Sequence, residues 1–263
     1  MRRLALFAAA LLSIGGSALA QPPQSLKLNL GYDGLFYVKV LEMSLRQEMD
    51  ADSFRASTHI NTWGLGALVK KLDQSASSTG RIDGARVLPG TFSHQNIDGK
   101  RDRRVVTQWR GGEVTTTSTP AYDFWGDPPA TRAQKLSAAD PLTQFVRITR
   151  ASTAAGPCGG DTHFFDGKQL YDFDFARPRP GGPPSDREKK LGLVNPVVCE
   201  VQYKEVAGFK KKPPEERSQG LKSAILARFG QLGPGGPWLL SSLRAQTKWG
   251  AANIELRRVK LGD

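Results

Sequence analysis

Leu41-Glu42-Met43-Ser44-Leu45-Arg46-Gln47-Glu48-Met49 places Leu41, Met43, Leu45 and Met49 on one face and Glu42, Ser44, Arg46 and Glu48 on the other. A period of two is the signature of an extended strand buried on one side. Phe54, Ala56, Thr58, Ile60 and Thr62 repeat it. Immediately upstream, Phe36, Val38 and Val40 carry the apolar face on the opposite parity, which predicts a bulge near Lys39. A helical reading of Phe36, Val40 and Leu45 is the alternative.

Downstream of this pair the pattern continues as a meander. Trp63-Gly64-Leu65-Gly66 leads into Ala67–Leu72, a single helical turn or a crossover, and Ser75, Ser77 and Thr79 then read as a polar strand. Asp83-Gly84 and Asp98-Gly99 are hairpin dipeptides, and Arg103, Val105, Thr107 and Trp109 alternate before Gly111-Gly112 turns the chain into Val114–Thr119. One helix interrupts the strands. Ser137 with Asp140 resembles a capping box, Pro141 suits a first turn, and Leu142, Phe145, Val146 and Thr149 form one face.

Strands resume with His163 and Phe165, the Asp166-Gly167 turn, and Tyr171, Phe173 and Phe175. Residues 177–190 are rich in Pro, Gly and charge and read as an exposed loop or mobile insertion. Cys199, Val201 and Tyr203 alternate; Phe209–Glu216 forms a basic, Pro-containing loop; Leu221, Ile225, Leu226 and Phe229 are spaced for a short helix or an irregular apolar lid, the helix being favoured. Leu243, Ala245, Thr247 and Trp249, a turn at Gly250, and Ile254 with Leu256 close the chain. The expectation is one β-rich domain over 21–263, with about ten antiparallel strands and one or two short helices, and no solenoid repeat.

Composition limits what such a domain can be. The chain has 263 residues, 37 Lys+Arg against 25 Asp+Glu, 39% hydrophobic residues and two cysteines, which excludes a membrane-spanning helical bundle, a disulfide-dense miniprotein and wholesale disorder. Residues 1–20 read as a cleaved signal peptide: Arg2-Arg3, the apolar run Leu4–Leu12 and the small-residue site Ala18-Leu19-Ala20. The mature chain is expected to begin at Gln21, to reach the periplasm as a soluble protein, and to keep a strongly basic charge, since removing Arg2 and Arg3 takes +12 only to +10. Cys158 and Cys199, an even pair in an oxidising compartment, are most simply one structural disulfide.

Catalytic signals are thin. His59, His94 and His163 lack metal-ligand spacing, and Asp166, Asp172 and Asp174 read better as a turn residue and a solvent face than as an acid–base pair. No nucleophile elbow or phosphate loop is present, so neither a catalytic residue, a metal nor a cofactor is expected. The remaining feature is charge: Lys100, Arg101, Arg103 and Arg104 in one run, and Lys210, Lys211 and Lys212 in another. In an exported chain these suit an anionic envelope component rather than nucleic acid.

Several blocks carry a resemblance. Gly31-Tyr32-Asp33-Gly34-Leu35-Phe36, the run around Ser57–Leu65, Asp140-Pro141-Leu142, Pro157-Cys158 with Phe165-Asp166-Gly167-Lys168 and Tyr171-Asp172, Val198-Cys199 and Thr247-Lys248-Trp249-Gly250 resemble the domain-of-unknown-function 3108 family of exported Gram-negative proteins. The resemblance implies an incomplete β-barrel wrapped around a helix, similar to lipoprotein carriers, with Cys158 and Cys199 at its disulfide positions and no established reaction. Residues 177–190 and 209–220 are longer and more basic than that pattern. Three functions follow as expectations. The first is a non-enzymatic binder of a lipid-like or apolar ligand, with Leu142, Phe145 and Val146 as the helix face that meets it. The second is an envelope-integrity protein with a filled interior, acting through protein or polymer contacts, and the third and weakest is a hydrolase of an envelope polymer.

Overall fold

The computed structural model describes residues 25–64, 72–96, 102–151, 156–211, 225–247 and 250–262. The alternating stretches become β2 (Val38–Met49) and β3 (Ser53–Thr62), preceded by β1 (Leu26–Phe36). The expected bulge is present: Gly34 pairs with Leu41 and Leu35 with Lys39, leaving Val40 as the extra residue. The meander continues through β4 (Asp73–Asp83), β5 (Arg86–Asn96), β6 (Arg103–Arg110) and β7 (Glu113–Thr119). Two helices follow, α1 (Arg132–Ser137) and α2 (Pro141–Thr149), then β8 (Gly160–Phe165), β9 (Leu170–Pro180) and α3 (Asp186–Lys190). The chain ends in β10 (Leu193–Ala207), β11 (Ile225–Leu232), β12 (Trp238–Thr247) and β13 (Gly250–Leu261).

All thirteen described strands form one antiparallel sheet in the order β7-β6-β5-β4-β3-β2-β1-β13-β12-β11-β10-β9-β8. Strands adjacent in sequence pair with one another, as short connections favour, except β7 and β8, which the helical segment separates. The β1–β13 pair, remote in sequence, zips the two meanders together at the middle of the sheet. The edges are β7 and β8, so the sheet curls into a barrel left open between them. Both longer helices come from the chain that crosses this opening. The extended link between them pairs with the β8 edge, Ala139 N–H donating to His163 O and Phe165 N–H to Ala139 O, each at 3.0 Å. On the β7 side, Arg132 donates to Gly112 O at 2.7 Å and Trp109 Nε1 to Lys135 O at 3.2 Å. An exposed sheet edge is thereby covered rather than left as a template for aggregation.

α2 lies inside the curl. Leu142 and Val146 are buried with Leu28, Leu45, Phe54, Val201, Phe229 and Leu256, each worth roughly 1.5–3 kcal/mol when fully removed from water. A buried polar frame then locks the helix to four strands. Asp140, wholly buried, caps α2 by accepting from the Leu142 and Thr143 amides at 3.0 and 2.9 Å, and it also accepts from Ser78 Oγ of β4 at 3.0 Å. Gln144 Nε2 donates to His163 O at 2.8 Å, Arg147 donates to Val87 O at 2.8 and 3.0 Å, and Thr149 Oγ1 donates to Gln47 Oε1 at 2.9 Å.

Several sequence expectations are corrected here. Asp140, not Ser137, begins the Pro141 helix; Ser137 closes α1, whose own capping box is Thr131 with Gln134. Residues 225–229 are strand rather than helix. Residues 177–190 are a loop only over 181–185: β9 runs to Pro180, and α3 is pinned by Glu188. Cys158 and Cys199 are disulfide-bonded, Cα–Cα 5.7 Å, tying the segment before β8 to β10. Ala67–Lys71, Asp98-Gly99, Leu221, Lys248-Trp249 and the N-terminal 20 residues lie outside the described residues.

Candidate functional site

The face of α2 that the polar frame leaves unoccupied meets the concave side of β8–β12. Phe145 and Ile148 of the helix, with Phe164, Phe173, Phe229 and Leu243, line a cavity of about 110 Å³ whose exposed surface is wholly apolar. Alternation puts Tyr171, Phe173 and Phe175 of β9 on this inner face, and register places Phe164 against Tyr171 and Tyr203 against Phe173. The rings form a continuous row: Phe175–Phe229 at 5.9 Å, Phe173–Tyr203 at 5.4 Å, Tyr171–Tyr203 at 5.9 Å, and Phe164 stacked on Tyr171 at 5.4 Å. Tyr203, in ring contact with both Phe173 and Tyr171, is where these rings reach the surface, 40% exposed. Burial, and then the nearby carboxylates of Glu205 and Asp166, push its hydroxyl up to about 12, so it stays neutral and amphipathic at any physiological pH.

Of the three helix residues expected to meet a ligand, Phe145 reaches the cavity, whereas Leu142 and Val146 are packed into the core on the other side of α2. Ile148 carries no sequence expectation, and Phe173 and Tyr203 are expected only as strand residues, not as part of a site. Ile148 lies three residues from Phe145, on a neighbouring part of the helix surface, but which side of α2 faces the cavity depends on strands far away in the chain. The titratable candidates are dispersed. His163 Nδ1 lies 2.7 Å from Asp172 Oδ1, His59 Nε2 lies 2.8 Å from Asp73 Oδ1, and His94 Nε2 lies 3.1 Å from the Asp166 carbonyl. Burial holds His94 below its ordinary value, with Asp166 pulling the other way. Among the described residues, no group of three His, Cys, Asp or Glu side chains is placed to hold a metal ion, and no helix is long and apolar enough to cross a membrane.

A second feature lies at one pole of the barrel. The hairpin between β5 and β6, the β8–β9 turn and the end of β10 all reach this pole, because Asn96 pairs with Arg103, Phe165 with Leu170 and Leu170 with Ala207. The two basic runs, distant in sequence, therefore meet at one end of the fold. Arg104, Lys210 and Lys211 are exposed there and Arg103 is half-buried, while Lys100, Arg101 and Lys212 lie outside the described residues. Segment 120–130 laces the pole together across the open side of the sheet. Arg103 donates to the carbonyls of Pro120 and Ala121, Asp127 N–H donates to Phe209 O, and Gly208 N–H donates to Pro128 O. Backbones touch where this segment crosses: a Cβ on Gly126 would lie 2.2 Å from Gly208, and one on Gly208 2.1 Å from the Lys168 carbonyl. A groove of about 290 Å³ opens beside it, lined by Asp127, Tyr203, Glu205, Phe209, Lys210 and Lys211. Lys168 and the aromatic run Tyr122, Phe124 and Trp125 join this pole without having been anticipated; the aromatic density of residues 122–125 was the available signal.

No family model matches the chain, and no curated protein matches it. Among solved structures it is similar to a beta-barrel-like protein of domain of unknown function 1849 from Brucella abortus, with 11% identity over 90% of this chain and 98% of that one, at a TM-score of 0.46.

Proposed function

We propose that the protein is a non-enzymatic binder of an apolar or lipid-like ligand, exported to the periplasm after removal of residues 1–20, and a relative of the domain-of-unknown-function 3108 proteins it resembles. The observation that carries the reading is the apolar cavity between α2 and the aromatic strands, continuous with rings that run out to Tyr203. At about 110 Å³ the cavity is smaller than the roughly 150 Å³ space that accepts benzene in an engineered core. It therefore takes one end of a ligand, a chain terminus or a small branched group, while the remainder follows the aromatic row to the surface. The Cys158–Cys199 disulfide supports an oxidising compartment.

Native mass spectrometry on protein isolated from its own envelope without detergent tests the reading. Expected is a bound lipid at one per chain, lost in Ile148→Trp, whose larger ring fills the cavity, and retained in an exposed control such as Arg110→Gln. An empty protein that takes up no lipid on incubation refutes it. The same result would favour the second reading, an envelope-integrity protein working through surface contacts. The cavity's size is the observation on that side, since it lies below the roughly 300 Å³ at which pockets for whole small ligands begin.

A further inference from the structure

The basic pole presents apolar rings as well as charge. Phe124 and Trp125 are 44% and 39% exposed, large apolar side chains held out on a segment that is hydrogen-bonded at Asp127 and Pro128 and closed against Gly208. They are presented by a braced backbone, so little ordering remains to be done when they meet a partner. Cations cluster against the same aromatic run. Arg103 Cζ stands 4.4 Å above the Tyr122 ring, and Lys168 Nζ stands 5.0 Å above Tyr122 and 5.8 Å from Phe124.

These cations crowd one another. The Lys168 ammonium is held below its ordinary value by burial first and by the positive charge of Arg103 next, with Asp166 opposing and Lys210 adding to the repulsion. Asp166 is itself engaged with the amides of Lys168 and Gln169, and Asp127 and Glu205 line the groove on the Lys210 side. Like charges kept this close are relieved by an anion with several oxygens. Aromatic rings set beside cations, at the end of a barrel rather than in a groove of stacked bases, fit the headgroup layer of a bilayer, where Trp and its neighbours lie between water and acyl chains.

We propose that this pole docks the protein onto an anionic bilayer surface, with Phe124 and Trp125 entering the headgroup layer and Arg103, Lys168 and Lys210 facing lipid phosphates. The inference rests on the exported location but not on the cavity. Docked this way, the surface end of the aromatic row at Tyr203, which also lines the Lys210 groove, faces the membrane.

Co-sedimentation of the chain from Gln21 onward with vesicles of phosphatidylcholine, or of equimolar phosphatidylcholine and phosphatidylglycerol, tests it. Binding to the anionic vesicles is expected, weakening steeply as salt rises, with little binding to neutral ones. Lys168→Gln and Lys210→Gln should each weaken it about fivefold. Phe124→Ser with Trp125→Ser should weaken it about tenfold while the variant still unfolds in one cooperative transition well above the assay temperature. Equal binding to both vesicles, or full binding by the lysine variants, overturns the proposal. Loss in the lysine variants without loss in the aromatic one marks a charge-only contact open to any polyanion, and overturns bilayer docking. Lipid uptake by native mass spectrometry, run on the same variants, separates failure here from failure of the cavity reading, because none of these residues lines the cavity.

Discussion

Glu188 offers the sharpest test of the physical account, since its stabilising effect has a pH signature. The α3 residue is wholly buried, and its carboxylate accepts from Arg228 Nε at 2.7 Å, Arg228 Nη2 at 2.9 Å, Ser241 Oγ at 2.6 Å and the Ser185 amide at 2.8 Å. Burial alone would raise its pKa, but these donors outweigh burial and bring it down to about 2 from an ordinary 4.5. That gap corresponds to about 3 kcal/mol of stability at neutral pH. The folded value is depressed, so the contribution is complete above the unfolded value near 4.5 and is lost as pH falls through about 2. Glu188→Gln should therefore cost about 3 kcal/mol at pH 7, or roughly 6–12 °C in Tm for a chain of this size. In denaturant titrations of both proteins, the difference should shrink through that window and nearly vanish below it, where the wild-type carboxyl is protonated and close to isosteric with glutamine. Other carboxylates titrate alike in both proteins and cancel. A difference that stayed constant with pH, or never exceeded a few tenths of a kcal/mol, would refute the claim that this ion pair anchors α3.

Two further outcomes are expected. Asp140→Ala removes the cap of α2 and strands Ser78 and Thr143 in the core, and should cost about 2–4 kcal/mol, above the ordinary loss for a helix cap; a surface-like loss in thermal denaturation would contradict the buried frame. Reducing Cys158–Cys199, which closes a separation of 41 residues, should lower stability by about 3–4 kcal/mol and the melting temperature by several degrees; an unchanged melt with both thiols shown to be reduced would remove the bridge from the account.

What the sequence disclosed follows from how local each signal is. The 41–49 and 54–62 stretches read correctly as strands because one face is buried along their length, and the parity switch at Val40 announced its bulge. Gln47 falls in an inward slot where the pattern wants an apolar residue, and its partner, Thr149, lies 102 residues away. β11 imitates a helix because its inner face, Ile225, Ala227 and Phe229, has a small residue in the middle, while Leu226 on the other face completes, with Ile225, a helix-like spacing of three and four residues to Phe229. Residues 177–190 looked like a loop because Pro, Gly and charge are loop composition, while the carboxylate that buries itself there depends on Arg228, 40 residues on. The cavity was legible only as an apolar helix face. The basic pole was legible as two unrelated runs, because β6 and β10 lie near opposite edges of the sheet and only its curl brings Arg103 and Lys210 to the same residue, Lys168.

The pairing of β1 with β13 has a consequence for how the molecule comes into being. Leu28 sits opposite Leu261, so the first strand of the sheet to be made is completed by the last. A chain stopped before β13 would present two unmatched edges, β1 and β12, at the centre of the sheet, so a truncated product is a template for strand addition and not a smaller version of the same fold. Topologically β1 and β13, the first and last described strands, meet inside the sheet, while its physical break lies elsewhere, between β7 and β8. A circular permutant in which a linker joins β13 to β1 and the chain is opened between β7 and α1 would place both the covalent and the physical break on the same side of the barrel.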